Sequence, residues 1–183
     1  MPRKTYYLVC MALGAALLTI GAYLKFPIGL NVQFTTQVFF LLIIGLVLPF
    51  PYSSLSVLVY IILGLMGLPV FSRGGGLHIV FTPEFGYLLG FLFAASIMNP
   101  FYRFFKSKAL KYYVCAVIGA LSVYPVALIY IGLILPAYSK VNISIQALLS
   151  AYFIPFLPMD IIKALFAALI ANRLHRAIPY LTH

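Results

Sequence analysis

The chain alternates between long apolar runs and short segments that carry its charges and most of its prolines and glycines. Most of the runs are too long for strands, and several approach the roughly 20 residues that cross a hydrocarbon core about 30 Å thick. Proline ends the second and third runs, because it removes a backbone donor and clashes with the preceding turn. The pattern predicts six membrane spans, at about residues 6–24, 34–48, 53–68, 85–98, 113–135 and 148–174.

Composition excludes an ordinary soluble domain. Of the 183 residues, 64% are hydrophobic and 8% are charged, whereas soluble domains carry about 25% charged residues. Six spans leave room only for short loops, so we expect an all-α integral membrane protein with a single six-helix domain over residues 1–183. A cleaved signal peptide is the alternative for the first run, but that run is long for a signal core and no small-residue cleavage site closes it.

The distribution of lysine and arginine predicts the orientation. Eight of the twelve lie near the N-terminus, in the 100–112 loop and in the C-terminal tail, whereas three lie in loops on the opposite side. Cytoplasmic segments carry the excess of these residues, so both termini are expected in the cytoplasm. The 25–33 and 69–86 loops then face outward together. The formal net charge of +10 follows from this topology, and nucleic-acid binding is not indicated.

Asp160 and Lys163 are the strongest candidates for a functional site inside a span. Charged side chains are costly in hydrocarbon, and residues three apart share one helix face, so the two are expected to pair within the bundle. The alternative is a buried salt bridge that only fixes helix register. The same face continues with small residues that allow close helix packing: Ala164, Ala167, Ala168 and Ala171.

The third loop carries Arg73 followed by the glycine run Gly74, Gly75 and Gly76. Glycines let backbone N–H groups approach a ligand, and an arginine can hold a carboxylate through two parallel hydrogen bonds. An exposed interfacial arginine in a flexible loop is the alternative. We expect the segment to be a packed loop, because it is too glycine-rich to span the membrane.

Other polar residues lie near the predicted span ends. Thr35 and Gln37 are neutral hydrogen-bonding groups suited to an amide-like ligand, and the alternative is a helix cap or an interhelical bond. Glu84 follows Pro83 and is explained by the start of the fourth helix, where an acid is favourable. Most tyrosines also lie near span ends, where an interfacial aromatic belt accounts for them.

Small residues and absent motifs complete the sequence evidence. Ala12 and Ala16 form a small-xxx-small pair that lets another helix come close, either within this chain or in a partner. Cys10 and Cys115 lie in apolar runs and are interpreted as buried hydrophobes rather than a disulfide or metal pair. No phosphate-binding loop or hydrolase motif is present, so an enzyme is not expected, and the scattered histidines show no metal-binding spacing.

Several segments taken together resemble the BioY family, the biotin-binding S components of energy-coupling factor (ECF) vitamin transporters. They are Ala-Leu-Gly-Ala-Ala at 12–16, Val-Gln-Phe-Thr-Thr-Gln at 32–37, Gly-Leu-Pro-Val-Phe at 67–71, Phe-Gly-Tyr-Leu-Leu-Gly-Phe at 85–91 and Pro-Met-Asp-Ile-Ile-Lys-Ala-Leu at 158–165. The stretches run in family order over nearly the whole chain. The chain departs from the family pattern at Gln33, where proline is usual, and at Glu84, where threonine is usual.

The resemblance implies a six-helix protein with a vitamin pocket near its outer face, closed by the first and third loops. The alanine pair that docks the coupling subunit in this family falls on Ala12 and Ala16. The substrate-binding positions of the family fall on Thr35, Gln37, Gly74, Gly75, Gly76, Gly86, Tyr87, Asp160 and Lys163.

The function implied is high-affinity biotin uptake across the bacterial cytoplasmic membrane, with a transmembrane coupling subunit and a pair of ATPases as partners and with no cofactor. The ureido ring of biotin suits Asp160 and Lys163, and its carboxylate suits Arg73 or loop N–H groups; the reverse pose, with Lys163 on the carboxylate, is also chemically possible. The alternatives are an S component for a different vitamin and a self-sufficient small-molecule carrier.

Overall fold

The computed structural model describes residues 3–27, 33–104, 110–139 and 144–178, and most of these residues are helical. The elements are α1 (Arg3–Tyr23), β1 (Lys25–Pro27), β2 (Gln33–Thr35), α2 (Gln37–Val47), α3 (Tyr52–Leu65), a 3-10 helix (Leu77–Phe81), α4 (Pro83–Phe104), α5 (Leu110–Ile129), a π-helical segment (Tyr130–Ile134), α6 (Leu135–Ser139), α7 (Ile145–Tyr152) and α8 (Leu157–Ala177).

The described helices support a multi-pass membrane protein. Lys4–Tyr23, Pro83–Tyr102 and Leu110–Tyr138 are long and apolar enough to cross a membrane, and α7 with α8 is a fourth candidate if the bent pair is one span. Helices α2 and α3 have 11 and 14 residues, or about 16 and 21 Å against a core about 30 Å thick. The predicted second and third spans therefore exist as helices that are shorter than a full crossing.

A short antiparallel sheet departs from the all-α expectation. Strands β1 and β2 pair Lys25 with Thr35 and Phe26 with Phe34. Their backbone groups bond to each other and so satisfy the hydrogen-bonding requirement of the connection that follows α1. Because β2 occupies residues 33–35, α2 begins at Gln37 rather than at the predicted residue 34.

Helix α2 occupies the centre of the bundle, where it packs against α1, α4, α5 and α8. Eight of its eleven residues are buried, among them Leu41 and Leu42. A helix that is apolar on all sides is stable where it is covered on all sides, which explains why this short segment needs no polar face.

Helix α8 follows a break in the last predicted span. The axes of α7 and α8 differ by 44° across residues 153–156, which include Pro155. The small-residue face of α8 is fully buried at Ala164, Ala167, Ala168 and Ala171, whereas Ile162, Leu165 and Leu169 are exposed. The close-packed seam predicted below Asp160 is thus confirmed.

The connection that follows α1 and the third loop meet. The Tyr23 hydroxyl donates to the carbonyl oxygen of Pro69, and Lys25 Nζ donates to that of Ser72. The prediction that the third loop is packed is also confirmed, because Phe71 and Ile79 are fully buried in it.

Several tyrosines lie inside the bundle rather than in an interfacial belt. Tyr60 and Tyr124 are buried at the middle of α3 and of the α5 segment, and each makes side-chain hydrogen bonds there. Tyr112 and Tyr130 are also buried. A buried tyrosine hydroxyl is stable when it has a hydrogen-bond partner. The spacing of apolar residues in the sequence does not show which residue that partner is. The cysteines are free, with Cys115 buried and Cys10 partly exposed.

Candidate functional site

Asp160 and Lys163 form a buried ion pair in the first two turns of α8. Lys163 Nζ lies 2.8 Å from Asp160 Oδ1, and the two side chains are 14% and 8% exposed, respectively. The predicted pairing on one helix face is confirmed. Asp160 lies in the first turn of α8, where the helix dipole stabilises a carboxylate.

Tyr124 of α5 is the third member of this group, and its role was not anticipated from the sequence. Its hydroxyl donates to Asp160 Oδ2 over 2.6 Å, so each carboxylate oxygen has one donor. A signal for it was present, because Tyr124 lies at the centre of the predicted 113–135 span, far from either interface. The pairing with Asp160 needed the tertiary structure.

Aromatic rings surround the Asp160 group. The break between α7 and α8 supplies Phe153, whose ring lies 4.9 Å from that of Tyr124, and Phe156, whose ring lies 5.0 Å from that of Phe34. Lys163 Nζ lies 6.0 Å from the centre of the Phe34 ring. An ion pair bounded by rings forms a polar centre with apolar walls.

Tyr87 joins this wall from the first turns of α4. Its ring lies 6.1 Å from Phe156 and 6.5 Å from Tyr124, and its hydroxyl donates to the carbonyl oxygen of Tyr152. The neighbouring Gly86 has a packing role, since a Cβ atom there would lie 3.0 Å from the Ala127 carbonyl oxygen of α5. Of these two predicted residues, the structure brings Tyr87 to the Asp160 group.

Thr35 and Gln37 belong to a second polar chain. Thr35 Oγ1 lies 3.4 Å from Gln37 Oε1, Gln37 Nε2 donates to the Tyr60 hydroxyl over 2.6 Å, and that hydroxyl donates to the Val70 carbonyl oxygen over 3.2 Å. The interhelical bond that was the alternative for Gln37 is therefore present. It connects the start of α2 through α3 to the third loop.

The glycine run shapes a tight turn in the third loop. Phe71 and Gly74 exchange two backbone hydrogen bonds, of 2.9 and 3.1 Å, and Arg73 lies exposed at the tip between them. Gly74 and Gly76 have φ of 106° and 119°, which favour glycine. A Cβ atom on Gly75 would overlap the Leu68 carbonyl oxygen. Among the described residues, no contact joins Arg73 to the Asp160 group.

Ser72 in the same turn is bound from two sides. Lys25 Nζ donates to its carbonyl oxygen, while Glu84 Oε1 accepts from its N–H at 3.2 Å and from its hydroxyl at 2.7 Å. We call Lys25, Ser72 and Glu84 the outer latch. Glu84 therefore does more than begin α4, which its position in the sequence could not show. The side chain of Gln33, the other departure from the family pattern, lies outside what the structure describes.

The alanine pair lies on the outer face of α1. Ala12 and Ala16 are exposed, whereas Gly14 and Ala15 between them are buried. A Cβ atom on Gly14 would overlap the Ser56 hydroxyl of α3, so this glycine allows α1 to pack closely against α3. Within the described residues, the Ala12–Ala16 face is not covered by the bundle.

Comparison with known proteins identifies the family. Residues 1–180 match the model of the BioY family. This chain belongs to the BioY family. A relative described as a probable biotin transporter BioY, from Lysinibacillus sphaericus, is 36% identical over 175 residues, covering 95% of this chain and 89% of the relative. The biotin transporter BioY of Thermotoga maritima is 35% identical, covering 88% and 90%.

A solved structure has the same fold. It is a 2.1 Å crystal structure of the S-component for biotin from an ECF-type ABC transporter, with a TM-score of 0.78 and 26% identity, covering 94% of this chain and 92% of that one. The agreement extends over nearly the whole length of both chains. The BioY resemblance drawn from the sequence motifs is thus confirmed.

Proposed function

We propose that this BioY-family chain binds biotin beside the Asp160–Lys163–Tyr124 group and serves as the substrate-binding S component of an ECF transporter. The buried ion pair carries the proposal, because paired charges inside a membrane bundle mark substrate pathways. Each carboxylate oxygen has one donor and can accept a further bond. Asp160 then accepts a ureido N–H, and Lys163 donates to the ureido oxygen.

The remaining parts of biotin fit the rings and loops around this group. Phe34, Tyr87, Phe153 and Phe156 offer apolar surfaces for the thiophane ring and the valeryl chain. The carboxylate extends to the outer loops, where the Arg73 side chain and the Gly75 N–H are the proposed donors. The N–H groups of Gly74 and Gly76 already bond to the carbonyl oxygens of Phe71 and Gly64. Gln37 supports the pocket from the start of α2 through its bond to Tyr60, and Thr35 of β2 lies next to Gln37.

We also propose six helical passages, two of them incomplete, with both termini in the cytoplasm. The rings of Tyr102 and Tyr112 lie 6.1 and 5.5 Å from that of His175, so the end of α4, the start of α5 and the basic end of α8 occupy one end of the bundle. Lys25, Ser72 and Glu84 meet at the other end. The positive-inside rule makes the basic end cytoplasmic and the latch end external.

Equilibrium binding of radiolabelled biotin to the detergent-purified chain tests the proposal, with other vitamins as competitors. Saturable binding that only biotin displaces supports it. Displacement by another vitamin would instead indicate an S component for that vitamin. Uptake by the chain alone in vesicles, driven by a proton gradient, would indicate a self-sufficient carrier.

Ala16→Phe is expected to abolish assembly with the coupling subunit and its ATPase pair while leaving biotin affinity within about twofold. A large ring on the exposed α1 face prevents close helix approach, which depends on small residues. Co-purification of an ATPase module with the tagged chain measures the effect. Ala151→Phe is the matched control, because Ala151 is an exposed alanine on α7. Equal loss with the control would remove the α1 face from this role.

Glu84→Gln is expected to speed biotin dissociation about tenfold. Hydrogen bonds to a charged acceptor contribute about 1.5–3 kcal/mol, and the neutral amide weakens both bonds to Ser72 while keeping its shape. Ser72→Ala should reproduce most of the effect, since it removes the hydroxyl donor. Dissociation of radiolabelled biotin into excess unlabelled ligand gives the rate. An unchanged rate in both variants would show that the outer latch does not retain the ligand.

A further inference from the structure

A surface groove lies between α5 and α8, and most of its lining comes from α8. It encloses about 280 Å³ and is lined by Tyr113, Ile162, Leu165, Phe166 and Leu169. The four α8 residues are between 37% and 59% exposed, so nothing in the described chain covers them. Neither the ion pair nor the alanine face of α1 uses this surface.

Two arginines lie further along the same face of α8 as the groove residues. At 100° per residue, Arg173 and Arg176 lie within about 40° of Ile162 around the helix, among the groove residues. Both are exposed in the last turns of α8. The axial rise from Ile162 to Arg173 is about 16 Å, roughly one leaflet of a 30 Å core. The apolar groove extends about 10 Å along α8 from Ile162 to Leu169, and the pair of cations follows one turn further on.

Neither acidic side chain of the protein competes for these cations. The chain has two acidic residues. Asp160 is paired with Lys163 in the first turns of α8, and Glu84 binds Ser72 at the same end of the bundle. Lys111, the nearest cation on α5, is turned toward the Tyr102 ring at 3.9 Å. Among the described residues, neither acidic side chain pairs with Arg173 or Arg176, so both arginines can bind an anion from outside the chain.

We propose that this groove is a binding site for an anionic phospholipid. One acyl chain lies along Ile162, Leu165 and Leu169, and the headgroup phosphate accepts hydrogen bonds from Arg173 and Arg176. Arginine binds phosphate through two parallel bonds, and basic pockets between membrane helices recognise anionic headgroups. This site differs from a purely basic patch, because one continuous surface binds both the acyl chain and the phosphate.

The absence of tryptophan from the chain allows a direct test. Leu169→Trp introduces a single fluorophore in the groove, and its quenching is measured in vesicles of brominated phosphatidylglycerol or brominated phosphatidylcholine in mixtures with the unbrominated lipid. The expected result is a relative affinity about fivefold higher for phosphatidylglycerol at this position. Leu13→Trp on the exposed face of α1 is the control position, where no comparable preference is expected.

Adding Arg173→Gln and Arg176→Gln to the Leu169→Trp chain should reduce the preference to below about twofold. Quenching by brominated phosphatidylcholine should persist in this variant, which shows that the groove is intact. Arg3→Gln with Lys4→Gln removes the same charge from the start of α1 and should leave the preference unchanged.

Three outcomes would overturn the proposal. Equal quenching of the Leu169→Trp chain by the two lipids would show a groove filled by bulk lipid. An equal preference in the Leu13→Trp chain, or an equal loss with the α1 charge variant, would show an effect of net charge alone. Protection from both lipids in the assembled complex, without headgroup preference in the free chain, would assign the groove to the coupling subunit.

Discussion

Replacing Asp160 with asparagine is expected to weaken biotin binding by at least about thirtyfold. The variant removes a charged acceptor for the ureido group and leaves Lys163 buried without its counter-charge. Losing the bond to a charged acceptor costs about 1.5–3 kcal/mol of binding free energy, and about 2 kcal/mol corresponds to the thirtyfold change. The unpaired Lys163 lowers the stability of the fold. Equilibrium binding of radiolabelled biotin to the purified variant measures it, and the expression level should be preserved.

A double variant separates the two contributions. Asp160→Asn with Lys163→Met removes both charges, so no unpaired ammonium remains in the bundle. If the ion pair contacts biotin, through Asp160, Lys163 or both, the double variant folds normally and still binds weakly. Recovery of affinity in the double variant would show that the ion pair only fixes helix register. Tyr124→Phe, which removes one donor to Asp160, should give a smaller loss, of about fivefold.

Changing Gly75 to alanine is expected to destabilise the third loop by about 2 kcal/mol and to lower biotin affinity by about the same factor as the Asp160 variant. The added methyl group would overlap the Leu68 carbonyl oxygen, and the Gly64 carbonyl oxygen would lie at 3.0 Å. Both neighbours are backbone, so neither can rotate away, and the turn that carries Arg73 and the outer latch must shift. Thermal unfolding and biotin binding of the purified variant measure the two effects.

Gly67→Ala is the matched control in the same loop. Gly67 has φ of 102°, but a Cβ atom there would meet nothing within 4 Å. The substitution adds backbone strain of about 1 kcal/mol without a clash. Its effect on binding should be several times smaller than that of Gly75→Ala. Equal effects would mean that loop conformation in general, rather than the packing of Gly75 on α3, limits binding.

The sequence located part of the candidate site well. Asp160 and Lys163 could be paired in advance because the cost of a charge in hydrocarbon and the 3.6-residue helical period leave few other arrangements. The glycine run could be recognised as a packed turn for similar local reasons. Arg73 is a different case: its residue type suits a carboxylate, but the structure places it exposed at the turn tip.

The partners of these residues depended on contacts that are distant in sequence. Tyr124 reaches Asp160 across 36 positions, and Tyr60 reaches Gln37 across 23. Glu84 binds Ser72 from the next element, although its sequence position is fully explained by the start of a helix. No periodicity encodes such pairings, since they are set by how the helices cross.

By itself, the sequence determined that this is a multi-pass membrane protein of the BioY family, with a buried ion pair in its last helix and a positively charged side. Apolar run length, charge cost and local motifs act over a few neighbouring residues and can be read in order. Only the tertiary structure decided that α2 and α3 are shorter than a full crossing, that Ala12 and Ala16 face outward, and that aromatic rings surround Asp160. Those features depend on how the side chains of separate helices pack against one another, which local sequence patterns do not specify.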